Sequence, residues 1–173
     1  VFADLKLVDI KETLSIDGLF LHEAGPDLLT VMSAAGVTGM RSLKAELPQT
    51  EVLAVTVLTS LTDSDARTMF SCSMENAVMT FSIIAKIAGL DGLVSSAAEV
   101  EKIRSELEGV GDLETMMSFN TPAIRPEWAV VPGDDQNPTR IMTPKKAIAA
   151  GADRIVVGRP ITGAKNRREA VLR

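Results

Sequence analysis

The sequence contains one cysteine, one tryptophan and no tyrosine, and aromatic residues make up only 3% of it. The single cysteine, Cys72, cannot form an internal disulfide, and a chain without disulfides fits a reducing compartment. No apolar run reaches the roughly 18 residues of a membrane-spanning helix, and no stretch has the pattern of a signal peptide. These absences predict a cytoplasmic protein without a membrane partner.

Basic residues are also fewer than acidic ones, 18 against 23, which gives a net charge of −5 and a pI near 5.0. This balance argues against a nucleic-acid partner but is compatible with a local basic pocket for a phosphate. Hydrophobic residues make up 46% of the 173 positions, enough for one globular domain with a core. We expect a single domain over residues 1–173.

A short pattern, Ala-Gly-x-Asp followed by an apolar run, occurs in EAGPDLLTV (23–31), IAGLDGLVS (87–95) and AAGADRIVV (149–157). Each copy predicts a helix that ends at a left-handed glycine and a buried strand that begins directly afterwards. The apolar runs predict strands at 2–8, 28–32, 52–58, 92–95, 116–120 and 154–158. Helices are predicted at 12–24, 37–47, 73–88, 97–108 and 144–150.

Strands that alternate with helices predict a parallel sheet, and two α/β architectures compete for it. An open doubly wound sheet suits the number of six strands. A (β/α)8 TIM-type barrel needs eight, and because the chain starts at Val1 within a strand, we expect two further βα units before it. In both architectures the functional side chains gather at the carboxyl ends of the strands.

The first predicted strand carries three charged residues, Asp4, Lys6 and Asp9, among apolar neighbours. Asp4 and Lys6 point to the same side of the strand, and buried charges are costly unless they are paired. An ammonium held between two carboxylates can protonate a developing carbanion. Two other interpretations stay open: a structural ion-pair network, and a Mg²⁺ site formed by Asp4 and Asp9.

The run VVGRPIT (156–162) is typical of a phosphate site, because Gly158 allows close backbone approach and Arg159 precedes a predicted helix start. The alternative is that Arg159 is an ordinary surface residue. The segment 124–140 contains three prolines and Gly133 and is predicted to be a long functional loop.

These motifs together resemble the orotidine 5′-phosphate decarboxylase family over nearly the whole chain. ADLKLVDIKET (3–13) is similar to that family's Asp-x-Lys-x-x-Asp-Ile-x-x-Thr strand motif. AVTVLTSLTDSD (54–65), AGLDGLVSSAAEV (88–100), TPAIRP (121–126), DDQNPTRIMTPKKAI (134–148) and GADRIVVGRPIT (151–162) follow in the family's order.

The resemblance implies a (β/α)8 barrel and a homodimer that decarboxylates orotidine 5′-monophosphate to uridine 5′-monophosphate without metal or organic cofactor. It implies that Lys6 protonates C6 of the pyrimidine, with Asp4 beside the substrate carboxylate. Asp9 and Thr13 would reach the active site of the partner subunit, near the ribose.

The remaining substrate contacts implied by the resemblance are Thr59, Pro122, Arg125, Gln136, Gly158 and Arg159. Thr59 would contact the pyrimidine. Gln136 and Arg159, with the backbone of Gly158, would hold the phosphate, and Arg125 would support that end of the site.

The sequence departs from the family's pattern in three places. The family's usual first two strands, which carry an Asp and a Lys of the substrate site, have no counterpart in it. Met32 stands where a His is usual, and Ala123 stands where the usual Gly would relax the backbone.

Two other functions stay open beside decarboxylation of the nucleotide. Sugar-phosphate decarboxylases and hexulose-phosphate synthases share the Asp-x-Lys-x-x-Asp strand but need Mg²⁺ and act on open-chain sugar phosphates. The Gln136 loop and the RIMTP and GRPIT runs favour the nucleotide enzyme. The other alternative is a non-catalytic remnant that binds a nucleotide phosphate.

Overall fold

The computed structural model describes residues 1–110, 116–129 and 134–173, and six strands within them form one parallel sheet. The strands are β1 (Phe2–Leu7), β2 (Leu28–Met32), β3 (Glu51–Val55), β4 (Gly92–Val94), β5 (Ser118–Thr121) and β6 (Arg154–Ile155). The helices are α1 (Lys11–Ala24), α2 (Gly36–Glu46), α3 (Asp63–Phe70), α4 (Met74–Ala88), α5 (Val100–Leu107), α6 (Pro144–Ala149), α7 (Arg159–Thr162) and α8 (Arg167–Leu172). No helix in these ranges is both long enough and apolar enough to cross a bilayer.

The order of the strands decides between the two predicted architectures. A doubly wound sheet reverses its strand order at a switch point, whereas here each strand pairs with the next from β1 to β6. Glu51 on β3 forms a two-pronged ion pair with Arg154 on β6, at 2.7 and 2.8 Å. About 14 Å would separate these strands in a flat sheet, so the side chains meet because the sheet curls. The fold is of the (β/α)8 barrel type, and the described residues supply six of its strands.

The middle strands are apolar on both faces because each face is covered. Leu29 and Val31 on β2 point outward and pack with Leu14 of α1 and Leu43 of α2 in the main core. Alternate residues point inward and form a separate cluster inside the curl, made of Leu28, Met32, Leu53, Val55 and Val94. The alternation follows the two-residue period of a strand.

The three Ala-Gly-x-Asp copies end helices as predicted. Gly25, Gly89 and Gly151 have φ angles of 57°, 79° and 96°, in the left-handed region that glycine adopts without steric cost. Gly25 and Gly89 directly follow α1 and α4, and a strand begins three residues after each of them.

Some boundaries differ from those predicted. The strand predicted at 52–58 ends at Val55, because Val57 and Leu58 turn their carbonyl groups to the side chain of Arg140 instead of a neighbouring strand. The strand predicted at 154–158 covers only two residues. Helix α3 was not predicted; its start is fixed by a capping box formed by Thr62 and Asp65.

The predicted loop at 124–140 is only partly irregular. Ile124 forms a parallel bridge with Met142, and Pro138–Arg140 form a 3-10 turn. Residues 130–133 of this segment, including Gly133, lie outside the described residues. The first described part starts three residues after β5, and the second contacts Arg159 after β6 and Leu58 after β3, where functional side chains were expected.

Candidate active site

A cavity of about 320 Å³ opens at the carboxyl ends of the strands. Eight of the ten residues predicted for the site line it: Asp4, Lys6, Thr59, Pro122, Arg125, Gln136, Gly158 and Arg159. They come from β1, from the segments after β3 and β5, from the 134–137 segment and from the end of β6. The barrel thus brings together side chains that are up to about 150 positions apart in the sequence.

Apolar side chains complete the lining of the cavity. Phe2, Val55, Val94 and Val156 line it together with the charged residues. Electrostatic interactions are stronger where water is excluded. A ligand that covers these side chains would bring its reacting atoms close to Lys6 in such surroundings.

Lys6 and Asp4 form an ion pair at the cavity wall, with 2.5 Å between Nζ and Oδ2. Their strand departs from regular geometry here. Ala3 pairs with Leu29 and Leu7 pairs with Val31, so three residues of β1 face one residue of β2. Within this irregular stretch Lys6 has a φ angle of 52°, a left-handed conformation that is unusual for a residue with a Cβ.

Asp9 and Thr13 do not line this cavity. Asp9 is exposed beyond the end of β1, where Oδ1 accepts a hydrogen bond from the N–H of Ile10 at 2.7 Å. Among the described residues Lys6 is therefore paired with Asp4 alone, and not with two carboxylates as the sequence suggested. Thr13 is half-buried in the first turn of α1. A role of both residues in a partner's site stays a prediction.

Arg159 is held by carboxylates of the neighbouring segment. Its Nη2 lies 2.9 Å from Oδ1 of Asp134 and also donates to Asp135. The hydroxyl of Thr59 donates to the side-chain carbonyl of Gln136. The expected pyrimidine contact is thereby joined directly to the expected phosphate contact.

Arg125 anchors the same segment through a bidentate ion pair with Asp134, at 2.6 and 2.7 Å. These hydrogen bonds from Arg125, together with the one from the N–H of Gln136, lower the pKa of Asp134 to about 2. Partial burial of the carboxylate acts in the opposite direction and raises the pKa, but its effect is smaller. Asp134 therefore stays charged throughout the physiological range. Arg125 acts on the site through Asp134, since its Nε and Nη2 both donate to that carboxylate and its Nη1 donates to the carbonyl oxygen of Ile124.

The helix predicted after Arg159 is a single turn, α7, so its dipole adds little to anion binding. Gly158 precedes this turn, and a Cβ added to it would meet nothing within 4 Å. The backbone there is open to a ligand, as the sequence suggested.

Arg140 belongs to the segment that was predicted to be a long loop, and its side chain is buried there. Its side chain is only 4% exposed and donates to the carbonyl oxygens of Leu58 at 2.7 Å and Val57 at 3.1 Å. It also pairs with Glu99 at 2.9 Å. Burial raises the pKa of Glu99, although Arg140 opposes that shift. Arg140 therefore ties the segment that carries Thr59 to the segment that follows β4.

Phe2 and Thr30 were not singled out from the sequence as site residues, whereas Ser60 was noted beside Thr59 at the end of the third predicted strand. Phe2 and Ser60 line the cavity, and the buried hydroxyl of Thr30 is hydrogen-bonded to Asp4. The available signal for Thr30 was a lone hydroxyl in the apolar run LLTVM. Within the described ranges, no three His, Cys, Asp or Glu side chains are placed to hold a metal ion together.

The structure shows the surroundings of Met32 and Ala123, the two residues that differ from those usual in the family. Met32 is half-buried and packs against the inner apolar cluster. Ala123 adopts a φ angle of 60°, the left-handed conformation for which glycine is suited.

We expect Ala123→Gly to cost at least about 1 kcal/mol less stability than Ala54→Gly, because only the first relieves a left-handed alanine. Both alanines are buried, and Ala54 lies in β3 without a positive φ angle, so the lost methyl contact is comparable. Urea denaturation of the two variants measures the difference. Equal losses would show that the strain at Ala123 is absent.

The sequence matches, over residues 1–173, the family described as orotidine 5′-phosphate decarboxylase / HUMPS. It is 41% identical to an orotidine 5′-phosphate decarboxylase of Lactococcus lactis subsp. cremoris, over 96% of this chain and 70% of that protein. It is 39% identical to one of Heliobacterium modesticaldum, over 100% of this chain and 72% of that protein.

Solved structures show the same likeness. The crystal structure of orotidine 5′-phosphate decarboxylase from Lactobacillus acidophilus superposes with a TM-score of 0.77 at 33% identity, over 98% of this chain and 70% of that one. The enzyme from Pyrococcus horikoshii superposes with a TM-score of 0.70 at 26% identity, over 99% and 70%. The chain thus spans about 70% of the length of these relatives.

Proposed function

Because the chain belongs to the orotidine 5′-phosphate decarboxylase / HUMPS family, we propose that it decarboxylates orotidine 5′-monophosphate to uridine 5′-monophosphate, a step of pyrimidine biosynthesis. The observation that carries the proposal is that Lys6 and Arg159 line one cavity. We assign the reaction to one barrel domain over residues 1–173, and to the cytoplasm because Cys72 has no partner for an internal disulfide.

The chemistry at C6 is carried by the Lys6–Asp4 pair. The bond between C6 and the carboxylate carbon breaks, CO₂ leaves, and the electron pair stays on C6. The Lys6 ammonium stabilises this negative charge and then transfers a proton from Nζ to C6. The neutral amine regains a proton from solvent. Asp4, 2.5 Å from Nζ, keeps the ammonium in place during the bond cleavage.

The phosphate is bound at the opposite end of the proposed site by Arg159, Gln136 and the backbone at Gly158. Arg159 exchanges its carboxylate partners, Asp134 and Asp135, for the phosphate oxygens. Since Thr59 is hydrogen-bonded to Gln136, this exchange is transmitted to the pyrimidine contact. Binding energy from the remote phosphate is thereby available to organise the reacting end.

The proposal is tested by following loss of orotidine 5′-monophosphate in excess chelator. We expect metal-independent turnover and competitive inhibition by uridine 5′-monophosphate. Mg²⁺-dependent turnover of a keto-sugar phosphate instead would assign the chain to the sugar-phosphate branch. Nucleotide binding without CO₂ release would identify a non-catalytic remnant.

We also propose that two copies associate and share their active sites, with Asp9 and Thr13 directed to the partner's ribose site. Asp9 is exposed, and Thr13 lies on a helix whose Ile16, Leu19 and Phe20 are more than half exposed. Exposed apolar side chains grouped on one helix are typical of surfaces that are buried on association.

Mixing two inactive variants tests the shared site. Lys6→Ala and Asp9→Asn each remove one component, and a mixed dimer regains one intact site from Lys6 of one copy and Asp9 of the other. Random exchange is expected to restore about a quarter of wild-type activity, because half of the dimers are mixed and each has one good site. The unmixed variants are the controls. No recovery in a mixture shown by light scattering to be dimeric contradicts the shared site.

A further inference from the structure

We infer that Thr30 is a positioning residue that fixes the Asp4–Lys6 pair through a single hydroxyl group. The inference rests on the proposed function of that pair. Thr30 is fully buried on β2 and does not line the cavity, so any effect on the reaction must pass through its two neighbours.

The hydroxyl of Thr30 makes two hydrogen bonds at once. Oγ1 accepts from the backbone N–H of Lys6 at 2.9 Å and donates to Oδ1 of Asp4 at 2.9 Å. A backbone N–H can only donate, so the hydroxyl proton is left for the carboxylate. The other oxygen of Asp4, Oδ2, binds the ammonium of Lys6. The three residues therefore form a closed ring of contacts.

This ring lies where the two strands fall out of register. Between the pairs Ala3–Leu29 and Leu7–Val31, Thr30 is the one residue of β2 that faces Asp4, Leu5 and Lys6. The N–H of Lys6 cannot take part in a regular ladder there, and a buried N–H without a partner is destabilising. The Thr30 hydroxyl supplies that partner and holds Lys6 in its left-handed conformation.

Position on the inner face explains why a threonine is found in this apolar strand. Leu28 and Met32, two residues before and after, pack into the inner cluster, so Thr30 points to the same side. Valine would fill the same volume at this site but would leave both Asp4 and the Lys6 N–H without their partner. The hydroxyl group of Thr30, and not the volume of its side chain, is therefore what this position requires.

Three variants test the inference. Thr30→Val removes the hydroxyl, Thr30→Ser retains it, and Thr50→Val is the matched control. Thr50 is 5% exposed, and its hydroxyl donates to the carbonyl of Pro26 at 2.8 Å, a contact that involves no residue of the cavity. Each variant is assayed for kcat, for the dissociation constant of uridine 5′-monophosphate and for amide hydrogen exchange at Lys6.

We expect Thr30→Val to lower kcat about 100-fold, the effect of a small misplacement of reacting groups, while nucleotide affinity changes less than about threefold because the phosphate contacts are untouched. Thr30→Ser should restore most of kcat, and Thr50→Val should leave it unchanged. Exchange at the Lys6 amide should accelerate in Thr30→Val only. Wild-type kcat in Thr30→Val, or equal losses in the Ser and Val variants, would overturn the inference.

The exchange measurement separates the two proposals. If the wild-type protein does not decarboxylate the nucleotide, the proposed function fails, and slow exchange at Lys6 that depends on Thr30 still establishes the geometry. If the wild-type protein is active but Lys6 exchanges equally fast in all variants, the role of Thr30 fails alone.

Discussion

Lys6→Ala is expected to lower kcat at least about 10⁴-fold, because one group supplies both the proton and the charge that stabilises the carbanion. The fold should persist. The Lys6 side chain is 39% exposed, and the ammonium contacts Asp4 alone among the described residues. Alanine also retains the backbone N–H that Thr30 accepts. Circular dichroism and urea midpoints of the variant should therefore stay close to those of the wild type.

Lys6→Ala should also change the affinity for the substrate much more than the affinity for the product. Without the ammonium, Asp4 meets the substrate carboxylate as an unpaired negative charge, so affinity for orotidine 5′-monophosphate should fall. Uridine 5′-monophosphate lacks that carboxylate, and its affinity should be nearly unchanged. Lys145→Ala, which removes an exposed lysine of α6, is the control for general loss of charge. Wild-type-like turnover in Lys6→Ala would remove Lys6 from the mechanism.

Arg140→Met is expected to destabilise the protein by about 3–5 kcal/mol, the usual cost of removing one partner of a buried ion pair. The substitution leaves Glu99 without its cation and the carbonyl groups of Val57 and Leu58 without their donor. Thr59 follows directly, so KM for the nucleotide should rise as well. Urea denaturation at pH 7 measures the first effect and steady-state kinetics the second.

The pH dependence of this loss has a definite sign. Burial already raises the pKa of Glu99 in the folded state, and removing Arg140 takes away the charge that opposes this shift. A raised carboxyl pKa favours the folded state at low pH, and that contribution is lost as the pH rises through the folded-state value. The deficit of Arg140→Met should therefore be largest near neutral pH and shrink as the pH falls through the raised pKa of Glu99.

A double variant provides the control for the Arg140 prediction. Glu99→Gln combined with Arg140→Met removes both charges, so it should be less destabilised than the sum of the two single changes. A deficit in Arg140→Met that is independent of pH, or strict additivity in the double variant, would show that the ion pair contributes little.

The charged residues of the site could be predicted because each of them follows or interrupts a short apolar run. Asp4 and Lys6 are charged residues within the apolar strand β1. Arg159 comes shortly after the apolar run 155–157. In a parallel sheet such positions share one edge, so their convergence follows from the alternation of strands and helices alone. The left-handed glycines at the helix ends could also be predicted from local sequence, because glycine adopts a positive φ angle without steric cost.

Thr30 and Arg140 could not be predicted in this way. The role of Thr30 depends on the register shift between Ala3 and Leu7, which exists only once β1 pairs with β2. Arg140 is polar and lies among prolines, which locally favours an exposed loop; its burial arises from carbonyl groups 82 and 83 positions earlier. The pairing of Asp134 with two arginines likewise depends on the meeting of segments after different strands.

The ion pair between Glu51 and Arg154 has a consequence for the order of events in folding. It joins residues 103 positions apart, and Ser118 also donates to Glu51. During synthesis β3 leaves the ribosome long before β6. Glu51 therefore has no access to its partner Arg154 until most of the remaining chain has been made. Local βα units can form early, whereas this long-range contact between β3 and β6 can form only after β6 has been synthesised. Until then the inner faces of the strands are open to other chains.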